Sequence, residues 1–317
     1  MKAIIITENG GTEKLTIAHV AKPEIRADEV LIRNKAISIN PVDNYLRQDR
    51  TGLNAYFKPL PDQDSFILGW DISGVVEAVG STVKDFKAGD EVFGMVNFPG
   101  QGRAYAEYVA APASHLALKP AGTPHTEAAG ATLAALTAWQ GLVTIAGLKK
   151  GEKVLIHAAN GGVGHYAVQI AHHLGAYVIA TGSGANEDFV KSLGADEFID
   201  YTREKFEDRV KDADIVFEAI AGDQILRSLD AVKNGGRLIS LLTFIEGEVA
   251  EKAKQKNVSA NRILVVSNGE DMKQLADLLA SGALRTHVSA VYPFEEMAKA
   301  HQQIATGKTR GKLAIEL

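Results

Sequence analysis

From residue 153 onward, short apolar strands alternate with helices, and this alternation limits the possible fold more than any other feature of the sequence. The strands read "KVLIHA", "YVIAT", "EFID", "DIVFEAI", "GRLISLL" and "RILVVS". The first helices between them are predicted at residues 162–174, 186–193, 203–211 and 223–232. Strands that alternate with helices at this spacing form βαβ units on a parallel sheet that is buried on both faces. Six such strands predict a complete doubly wound, Rossmann-type dinucleotide-binding domain.

A glycine-rich turn, "AANGGVG", joins the first of these strands to its helix. Bare backbone lets a pyrophosphate approach, and the free N–H groups and dipole of the helix N-terminus attract its charge. The spacing differs from the usual G-x-G-x-x-G, so a purely structural tight turn is the alternative. On the first strand of a six-strand alternating pattern, dinucleotide binding is favoured. The predicted cofactor-binding residues of the turn are Asn160, Gly161, Gly162, Val163 and Gly164.

The end of the second strand, "IATGSGANED", bears on which dinucleotide is bound. An NAD site usually places Asp or Glu about 20 residues past the glycines, where it binds the ribose 2′-hydroxyl. Here residues 181–183 occupy that region and the first acid is Glu187, so no carboxylate is expected to face a 2′-phosphate. The Ser183 hydroxyl can donate to such a phosphate, and we therefore predict NADP(H). The loop lacks Lys and Arg, and the nearest further candidates are Tyr201 and Arg203, after the third strand.

The N-terminal part of the chain has a different pattern. Short β-rich runs such as "EVLIRNKAISI" and "ISGVVEAVG", separated by Gly, Asp and Pro, predict an antiparallel β domain. Residues 44–66 show no clear period and are predicted to form a long loop over a site. Beyond it, a helix with Thr126 as N-cap is expected. The closing strand "GKLAIEL" is expected to return to the first domain, which gives segments 1–123, 124–266 and 267–317.

Composition removes several functional classes. The chain has no cysteine, which rules out disulfides, thiolate nucleophiles and Cys-based zinc sites. Its net charge of −5 gives no reason to expect nucleic acid as a partner. Residues 128–148 carry no charge but are rich in Ala, Gly and Thr, so a buried helix is favoured over a membrane span. The apolar run in "MKAIIITENGG" is too short for a secretory signal, so a cytoplasmic location is expected.

Six stretches together resemble the medium-chain dehydrogenase/reductase superfamily, and within it the zinc-free quinone oxidoreductase and enone (alkenal) reductase branch. They are "ISINPVDNYLR" (37–47), "FILGWDISGVVEAVGSTVKDFKAGDEVFG" (66–94), "LTAWQGL" (136–142), "AANGGVG" (158–164), "KSLGADEFIDY" (191–201) and "TRGKLAIEL" (309–317). The resemblance implies a GroES-like β-barrel catalytic domain that receives the C-terminal strand. It also implies an active site in the cleft between the domains, and a homodimer formed by pairing the nucleotide-domain sheets. Thr137 would lie near the nicotinamide ribose, and Tyr201 near the adenosine phosphate.

The sequence departs from its zinc-dependent relatives at the metal site. Those relatives place a Cys near Asn40 and a Gly-His-Glu where this chain has Gly69-Trp70-Asp71, and they carry a four-Cys lobe that is missing here. No catalytic metal is therefore expected. Several NADPH-using members of the branch have Lys at the position of Asn186, which weakens the prediction of NADP(H).

Without a metal, the resemblance and the chemistry together favour a conjugated acceptor. Hydride delivered to a quinone, or to the β-carbon of an enone, places negative charge on an oxygen that hydrogen-bond donors can stabilise. Asn40 and Tyr45 are the candidates for orientation and anion stabilisation, although Asn40 could have only a turn role and Tyr45 could simply pack. Tyr56 could line the pocket, whereas Asp43 is expected to be a local acceptor rather than a base. We predict an NADPH-dependent reductase of a quinone or an α,β-unsaturated carbonyl; the alternative is a non-catalytic NADP(H)-binding structural or regulatory protein.

Overall fold

The structure is a computed structural model that describes residues 1–58 and 65–317, apart from the side chain of Tyr56. The strands are β1 (Lys2–Ile6), β2 (Thr16–His19), β3 (Glu29–Ser38), β4 (Phe66–Ile67), β5 (Asp71–Val79), β6 (Glu91–Met95), β7 (Tyr108–Pro112), β8 (Ala117–Leu118), β9 (Lys153–Ile156), β10 (Tyr177–Gly182), β11 (Glu197–Asp200), β12 (Ala213–Glu218), β13 (Val232–Ser240), β14 (Ser259–Arg262), β15 (Val288–Pro293) and β16 (Lys312–Glu316). The α-helices are α1 (Pro41–Gln48), α2 (Arg50–Tyr56), α3 (His125–Gly130), α4 (Leu133–Trp139), α5 (Gly164–His173), α6 (Glu187–Ser192), α7 (Phe206–Arg209), α8 (Gln224–Ala231), α9 (Gly247–Gln255), α10 (Gly269–Ser281) and α11 (Met297–Ala305). Short 3₁₀ segments occur at Thr12–Lys14, Ala113–His115, Gly184–Asn186 and Phe294–Glu296, and a π-helical turn at Gln140–Ile145.

The chain forms two compact units, one of residues 1–136 and 266–317 and one of residues 137–265. In the first unit, one sheet has the order β15-β16-β3-β5-β6-β8, with β7 also paired to β3, and a smaller sheet has the order β2-β1-β4. The closing strand β16 runs antiparallel to β3, which confirms the expected return to the N-terminal part of the chain. Strand β15, which runs parallel to β16, was not predicted.

The second unit is built on a parallel sheet with the order β11-β10-β9-β12-β13-β14. Numbered within the unit, this order is 3-2-1-4-5-6, as in the doubly wound dinucleotide folds. The central strands are apolar on both faces because helices cover both sides of the sheet. On one face, side chains of the strands pack with those of α7, α8 and α9 into a single buried core. The predicted doubly wound architecture is thereby confirmed.

The sixth strand of this sheet was predicted at the wrong residues. Strand β14 is "SANR", whereas most of the predicted strand "RILVVS" follows it, and the unpredicted helix α9 precedes it. Among the residues that the structure describes, strand β14 pairs with β13 alone, and it lies mostly exposed at the edge of the sheet. An edge strand of this kind needs no continuous apolar run, so the apolar pattern of the sequence indicates the neighbouring segment instead.

The prediction of a long loop at residues 44–66 was also wrong where the structure describes that segment. Helix α1 begins after Asn40, with Pro41 at its first position, and α2 follows directly. The Asp49 carboxylate caps α2 by accepting the N–H groups of Thr51 and Gly52, both at 3.1 Å. Residues 59–64 of the predicted loop lie outside the described residues.

The uncharged stretch after residue 124 folds into short helical pieces. Helix α3 has Pro124 rather than Thr126 at its N-cap, so the predicted cap was wrong. The helix stops before Thr132, whose hydroxyl donates to the carbonyl of Ala129 at 2.8 Å, and α4 starts one residue later. Within the described residues, no helix is both long and apolar enough to span a membrane.

Candidate functional site

The glycine turn in the second unit leaves β9, the strand that pairs with β10 on one side and β12 on the other. Ligands of open parallel sheets bind beyond the carboxyl ends of the strands at this reversal of strand order. Ala158 adopts a left-handed conformation with φ of 50°, and its carbonyl accepts the N–H of Gly161 at 2.9 Å. The N–H of Ala159 donates to the carbonyl of Thr181 at 3.0 Å, which ties the turn to the end of β10.

Close backbone approach requires a glycine at position 164 of the turn and favours one at position 161. A Cβ atom added at Gly164 would lie 2.1 Å from the carbonyl oxygen of Ala158, a distance that no real Cβ atom tolerates. A Cβ atom at Gly161 would meet the same oxygen at 3.2 Å, which is tight but less severe. Gly164 therefore allows helix α5 to start directly against the turn, as the third glycine of such turns does.

The start of α5 offers backbone donors to an anion. Within the part of the chain that the structure describes, the N–H groups of Gly162, Val163 and Gly164 have no protein acceptor. The first turn of the helix carries no acidic side chain, and residues 161–163 are partly exposed. Free N–H groups and the positive end of a ten-residue helix form a site that fits a phosphate. The residues present thus fit the diphosphate of a dinucleotide.

The predicted adenosine end lies at the carboxyl ends of β10 and β11. Asn186 donates from Nδ2 to the Ser183 hydroxyl at 3.0 Å, so the predicted Ser183 is paired with the residue that stands where several relatives have Lys. Tyr201 is exposed in the turn after β11. A Cβ atom at Gly182 would lie 3.3 Å from Oδ1 of Asn160, so the structure brings this end of β10 close to the glycine turn.

Asp200 is a carboxylate that sequence reasoning missed at this end of the site. The register of the parallel pairing places it opposite Gly182, so it reaches the region from the third strand rather than the second. Asp200 accepts the N–H and the hydroxyl of Thr202 at 3.0 and 2.7 Å, and Arg203 lies 3.5 Å away. These partners, Thr202 above all, lower the pKa of Asp200 and keep it ionised. A carboxylate thus reaches this end of the site from the third strand, although none stands at the end of the second, and Arg203 partly compensates its charge.

In the first unit, Asn40 belongs to a buried cluster with Asp71 and Lys312. Asn40 donates from Nδ2 to Oδ2 of Asp71 at 2.8 Å and accepts the Lys312 ammonium on Oδ1 at 2.5 Å. The ammonium lies 3.6 Å from Asp71 and also donates to the carbonyl of Ile39. Burial raises the pKa of Asp71 and lowers that of Lys312, and each charge opposes the shift of the other. Lys312 was not predicted; a lysine inside the apolar strand "KLAIE" was the available signal.

A second buried polar group lies beside this cluster. Asp43 accepts the Asn40 N–H on Oδ2 at 2.7 Å, which supports its predicted role as a local acceptor. Burial raises the pKa of Asp43 to about 7, against the opposing effect of the Asn40 N–H. The Tyr105 hydroxyl is 3.0 Å from Nε2 of His301, whose Nδ1 faces Nε of Arg47 at 3.4 Å. Burial lowers the pKa of His301 to about 3, so this imidazole is neutral near pH 7.

The structure describes the side chain of one predicted tyrosine, Tyr45, but not that of the other, Tyr56. Tyr45 is exposed on α1, and its hydroxyl donates to Oδ2 of Asp49 at 2.6 Å. The backbone of Tyr56 ends α2, while its side chain lies outside the described residues. Thr137, the remaining predicted residue, is buried in α4 at the first position of the second unit.

The residues that replace the zinc-binding motif form a packed aromatic region. Trp70 packs at a tilt against Phe57 and edge-on against Phe98, with ring centroids 5.3 and 4.9 Å apart, and its Nε1 donates to the carbonyl of Gly100 at 2.7 Å. Among the described residues, no group of three or more His, Asp or Glu side chains is arranged to hold a metal ion. Trp, Asn and a lysine-paired Asp are poor donors for zinc, which prefers thiolate and imidazole.

Two family models match the chain: the alcohol dehydrogenase GroES-like domain at residues 26–121 and a zinc-binding dehydrogenase model at residues 193–315. The chain is 36% identical to the chloroplastic NADPH-dependent alkenal/one oxidoreductase of Arabidopsis thaliana, over 99% of this chain and 79% of the relative. It superposes on the quinone oxidoreductase of Coxiella burnetii with a TM-score of 0.91 and 35% identity, over 100% and 99% of the two chains. The Escherichia coli quinone oxidoreductase in complex with NADPH gives a TM-score of 0.86 at 28% identity, with both chains fully covered. With its GroES-like domain and 3-2-1-4-5-6 parallel sheet, the chain belongs to the medium-chain dehydrogenase/reductase superfamily, in the branch of the quinone oxidoreductases and alkenal reductases.

Proposed function

We propose that the protein is an NADPH-dependent reductase that transfers hydride to a quinone or to the β-carbon of an α,β-unsaturated carbonyl, without a catalytic metal. The observation that carries the proposal is the glycine turn, where three backbone N–H groups lack a protein acceptor and a side chain at Gly164 would collide with Ala158. The similarity to an NADPH-dependent alkenal/one oxidoreductase gives the same answer for cofactor and acceptor class.

In this proposal the diphosphate lies on the N–H groups of residues 162–164, and Ser183 with Asn186 contacts the 2′-phosphate. Tyr201 and Arg203 border the same end of the site, and Arg203 partly neutralises Asp200. Thr137 lies near the nicotinamide ribose, as the family resemblance implies. NADPH is therefore preferred to NADH, because this end of the site has, among the described residues, no uncompensated carboxylate to accept a hydrogen bond from the ribose 2′-hydroxyl.

Bound NADPH supplies the hydride, and the protein orients the acceptor and stabilises the oxygen that becomes negative. One N–H of the Asn40 amide is committed to Asp71, which leaves its second N–H as the proposed donor to that oxygen. The Lys312 ammonium on Asn40 Oδ1 polarises this amide and fixes its orientation. Tyr45 could serve as a second donor only by releasing Asp49, and Tyr56 is retained as a pocket residue on sequence grounds.

The deciding experiment follows the loss of NADPH absorbance with a small quinone and, separately, a small enone. Turnover of at least one acceptor, unaffected by a strong chelator and with no stoichiometric zinc in the purified protein, is expected. Tight NADPH binding without turnover of either acceptor would instead favour the non-catalytic binding protein. Activity that disappears with chelator and returns with zinc would refute the metal-free chemistry.

We also propose a homodimer in which the edge strand β14 pairs with its copy. One side of β14 has no strand partner among the described residues, and Leu242, Phe244 and Leu264 expose apolar surface in the same unit. Light scattering after size exclusion should give twice the chain mass, and Leu264→Asp should shift it toward the monomer. A monomeric wild-type chain at micromolar concentration would rule the dimer out. The cytoplasmic location stays a prediction from the sequence, and cell fractionation tests it.

A further inference from the structure

Four polar side chains form a buried line of hydrogen bonds next to the glycine turn, and none of them is a proposed contact of the cofactor or the acceptor. They are His157, Thr181, Ser228 and Glu218, and we call them the His157 network; each is at most 3% exposed. His157 Nδ1 lies 3.0 Å from the Thr181 hydroxyl, and its Nε2 lies 3.1 Å from the Ser228 hydroxyl. The Ser228 hydroxyl also donates to Oε2 of Glu218.

The network joins the carboxyl ends of three adjacent parallel strands. His157 directly follows β9, Thr181 lies in the last part of β10, and Glu218 is the last residue of β12, while Ser228 reaches down from α8. Each strand end leads into a loop at the edge of the sheet where dinucleotides bind. Backbone bonds reinforce the join, since His157 N–H donates to the carbonyl of Phe217 at 3.1 Å.

The chemistry of the four groups fixes the direction of every hydrogen bond. Glu218 accepts from Ser228, from the N–H of Ile220 at 2.8 Å and from Gln224 Nε2 at 3.3 Å; burial raises the pKa of Glu218, and these three donors oppose that shift and suit an ionised carboxylate. The single Ser228 proton is thereby used, so its oxygen can only accept from His157, which must carry its proton on Nε2. Nδ1 is then unprotonated and accepts from Thr181.

The imidazole in this line is neutral. Burial lowers the pKa of His157 to about 3; Arg227 adds to this shift and Glu207 opposes it. The ring of Phe206 lies edge-on with its centroid 4.5 Å away, so the imidazole is held by packing as well as by both nitrogens. The neutral imidazole donates one hydrogen bond and accepts one. The hydrogen bonds that begin at Glu218 therefore fix the orientation of the Thr181 hydroxyl.

We propose that His157 is a positioning residue for NADPH: it locks the strand ends from which the diphosphate-binding turn and the adenosine-side loop begin. This inference rests on the proposed function. His157 immediately precedes Ala158, the left-handed residue whose carbonyl accepts the Gly161 N–H and leaves no room for a side chain at Gly164. Thr181 receives the Ala159 N–H on its own carbonyl, so one residue is held by both the turn and the network. If His157 lost its hydrogen bonds to Thr181 and Ser228, the turn could rotate, and the N–H groups of residues 162–164 would no longer point at one anion.

The test compares His157→Phe with His157→Gln. Phe keeps a ring of similar size but removes both hydrogen bonds, whereas the Gln amide can accept from Thr181 and donate to Ser228 as the imidazole does. His157→Phe should raise the Kd of NADPH, followed by fluorescence titration, by about tenfold to a hundredfold, the effect of unsatisfied buried groups. The KM for NADPH should rise with it while kcat at saturation stays close to wild type, and His157→Gln should restore most of the affinity.

Two further variants keep the result decisive if His157→Phe fails to fold. Ser228→Ala cuts the same line at its other end with little change in volume, and it should also weaken NADPH binding by about tenfold. Ser192→Ala is the matched control: its hydroxyl donates to the carbonyl of Phe189 in α6, outside the network, and it should leave the Kd unchanged. Nitrogen-15 shifts of His157 in the wild-type protein should show protonation on Nε2 only.

Each outcome supports or overturns the inference. Unchanged NADPH affinity in both His157→Phe and Ser228→Ala would overturn it. A His157→Gln variant that regains thermal stability but not affinity would also overturn it, because the hydrogen bonds would then stabilise the fold without positioning NADPH. Protonation of His157 on Nδ1 would overturn the proposed direction of the hydrogen bonds in the His157 network. A wild-type chain that binds no NADPH would refute the proposed function itself, whereas a binding wild type with unaffected variants would refute only the positioning role.

Discussion

Asp43 offers the sharpest quantitative prediction because its carboxyl group is fully buried yet ionises within the ordinary pH range. Burial raises its pKa to about 7, while the Asn40 N–H and the Lys312 ammonium act in the opposite direction. The perturbation is Asp43→Asn, which removes the ionisation and keeps an oxygen that can accept the same Asn40 N–H. Asp43 lies outside the proposed catalytic and cofactor contacts, so stability is the quantity to measure.

The sign follows from where each state ionises. Below pH 3.8, its ordinary pKa, Asp43 is protonated in both the folded and the unfolded chain. Between 3.8 and about 7 the unfolded chain loses this proton and the folded chain keeps it, so the free energy of unfolding falls as the pH rises. At about 1.4 kcal/mol per pH unit, the full effect is about 4 kcal/mol. Above pH 7 the Asn variant should therefore be more stable than wild type by up to about 4 kcal/mol, with less difference near pH 4.

The assay is urea denaturation of both proteins at a series of pH values from 4 to 8, because the difference between the two curves isolates Asp43 from all other carboxylates. Asp49→Asn is the control with the opposite sign. The Tyr45 hydroxyl lowers the pKa of Asp49, so this partly exposed carboxylate stabilises the fold above its ordinary pKa of 3.8; the cost of its loss should be nearly constant above about pH 5 and should decrease toward pH 4. A difference for Asp43→Asn that is flat with pH, or that falls as the pH rises, would refute the reasoning.

Four further substitutions test other contacts. Gly164→Ala should lower NADPH affinity by tenfold or more, because its Cβ would meet a carbonyl oxygen at 2.1 Å; an unchanged Kd would show that the turn can move aside. Ser183→Asp should raise the KM for NADPH far more than for NADH, and equal changes would remove Ser183 from the 2′-phosphate. Lys312→Met should destabilise the chain by about 3–5 kcal/mol in urea denaturation, because it leaves the buried Asp71 carboxylate without its cation. The double variant that adds Asp71→Asn should regain most of that loss. Tyr45→Phe should lower kcat, and an unchanged kcat would leave its hydroxyl with only a capping role.

Local pattern was enough to predict the parallel sheet and its glycine turn. Strands buried on both faces must be apolar throughout, and a helix that starts against a phosphate must omit side chains, so both features appear in consecutive residues. The same logic failed at β14, whose polar residues lie at an edge that needs no apolar run. It failed again at α1 and α2, which are short and depend on the caps at Asn40 and Asp49 more than on periodicity.

The site residues that were missed depend on pairing between distant segments. Asp200 reaches the adenosine end only because β11 aligns it with Gly182 on the neighbouring strand. Lys312 reaches Asn40 because β16 returns beside β3, across almost the whole length of the chain. A single sequence contains no register between strands, so these contacts could not be read from spacing or composition.

The Asn40 cluster also explains why one substitution should not return this chain to metal chemistry. Zinc-dependent relatives have a Cys near Asn40 and a His where Trp70 stands, and an Asn40→Cys change would supply only the first of these. The second position is filled by an indole packed against two phenylalanines, and its N–H is committed to a backbone carbonyl. The Lys312 ammonium already supplies the positive charge beside the buried Asp71, and it would repel a divalent ion at the same place. The Lys312 ammonium thus balances the charge of Asp71 in the first unit. This arrangement supports the proposal that hydrogen bonds stabilise the negative charge that the reduction places on the oxygen of the conjugated acceptor.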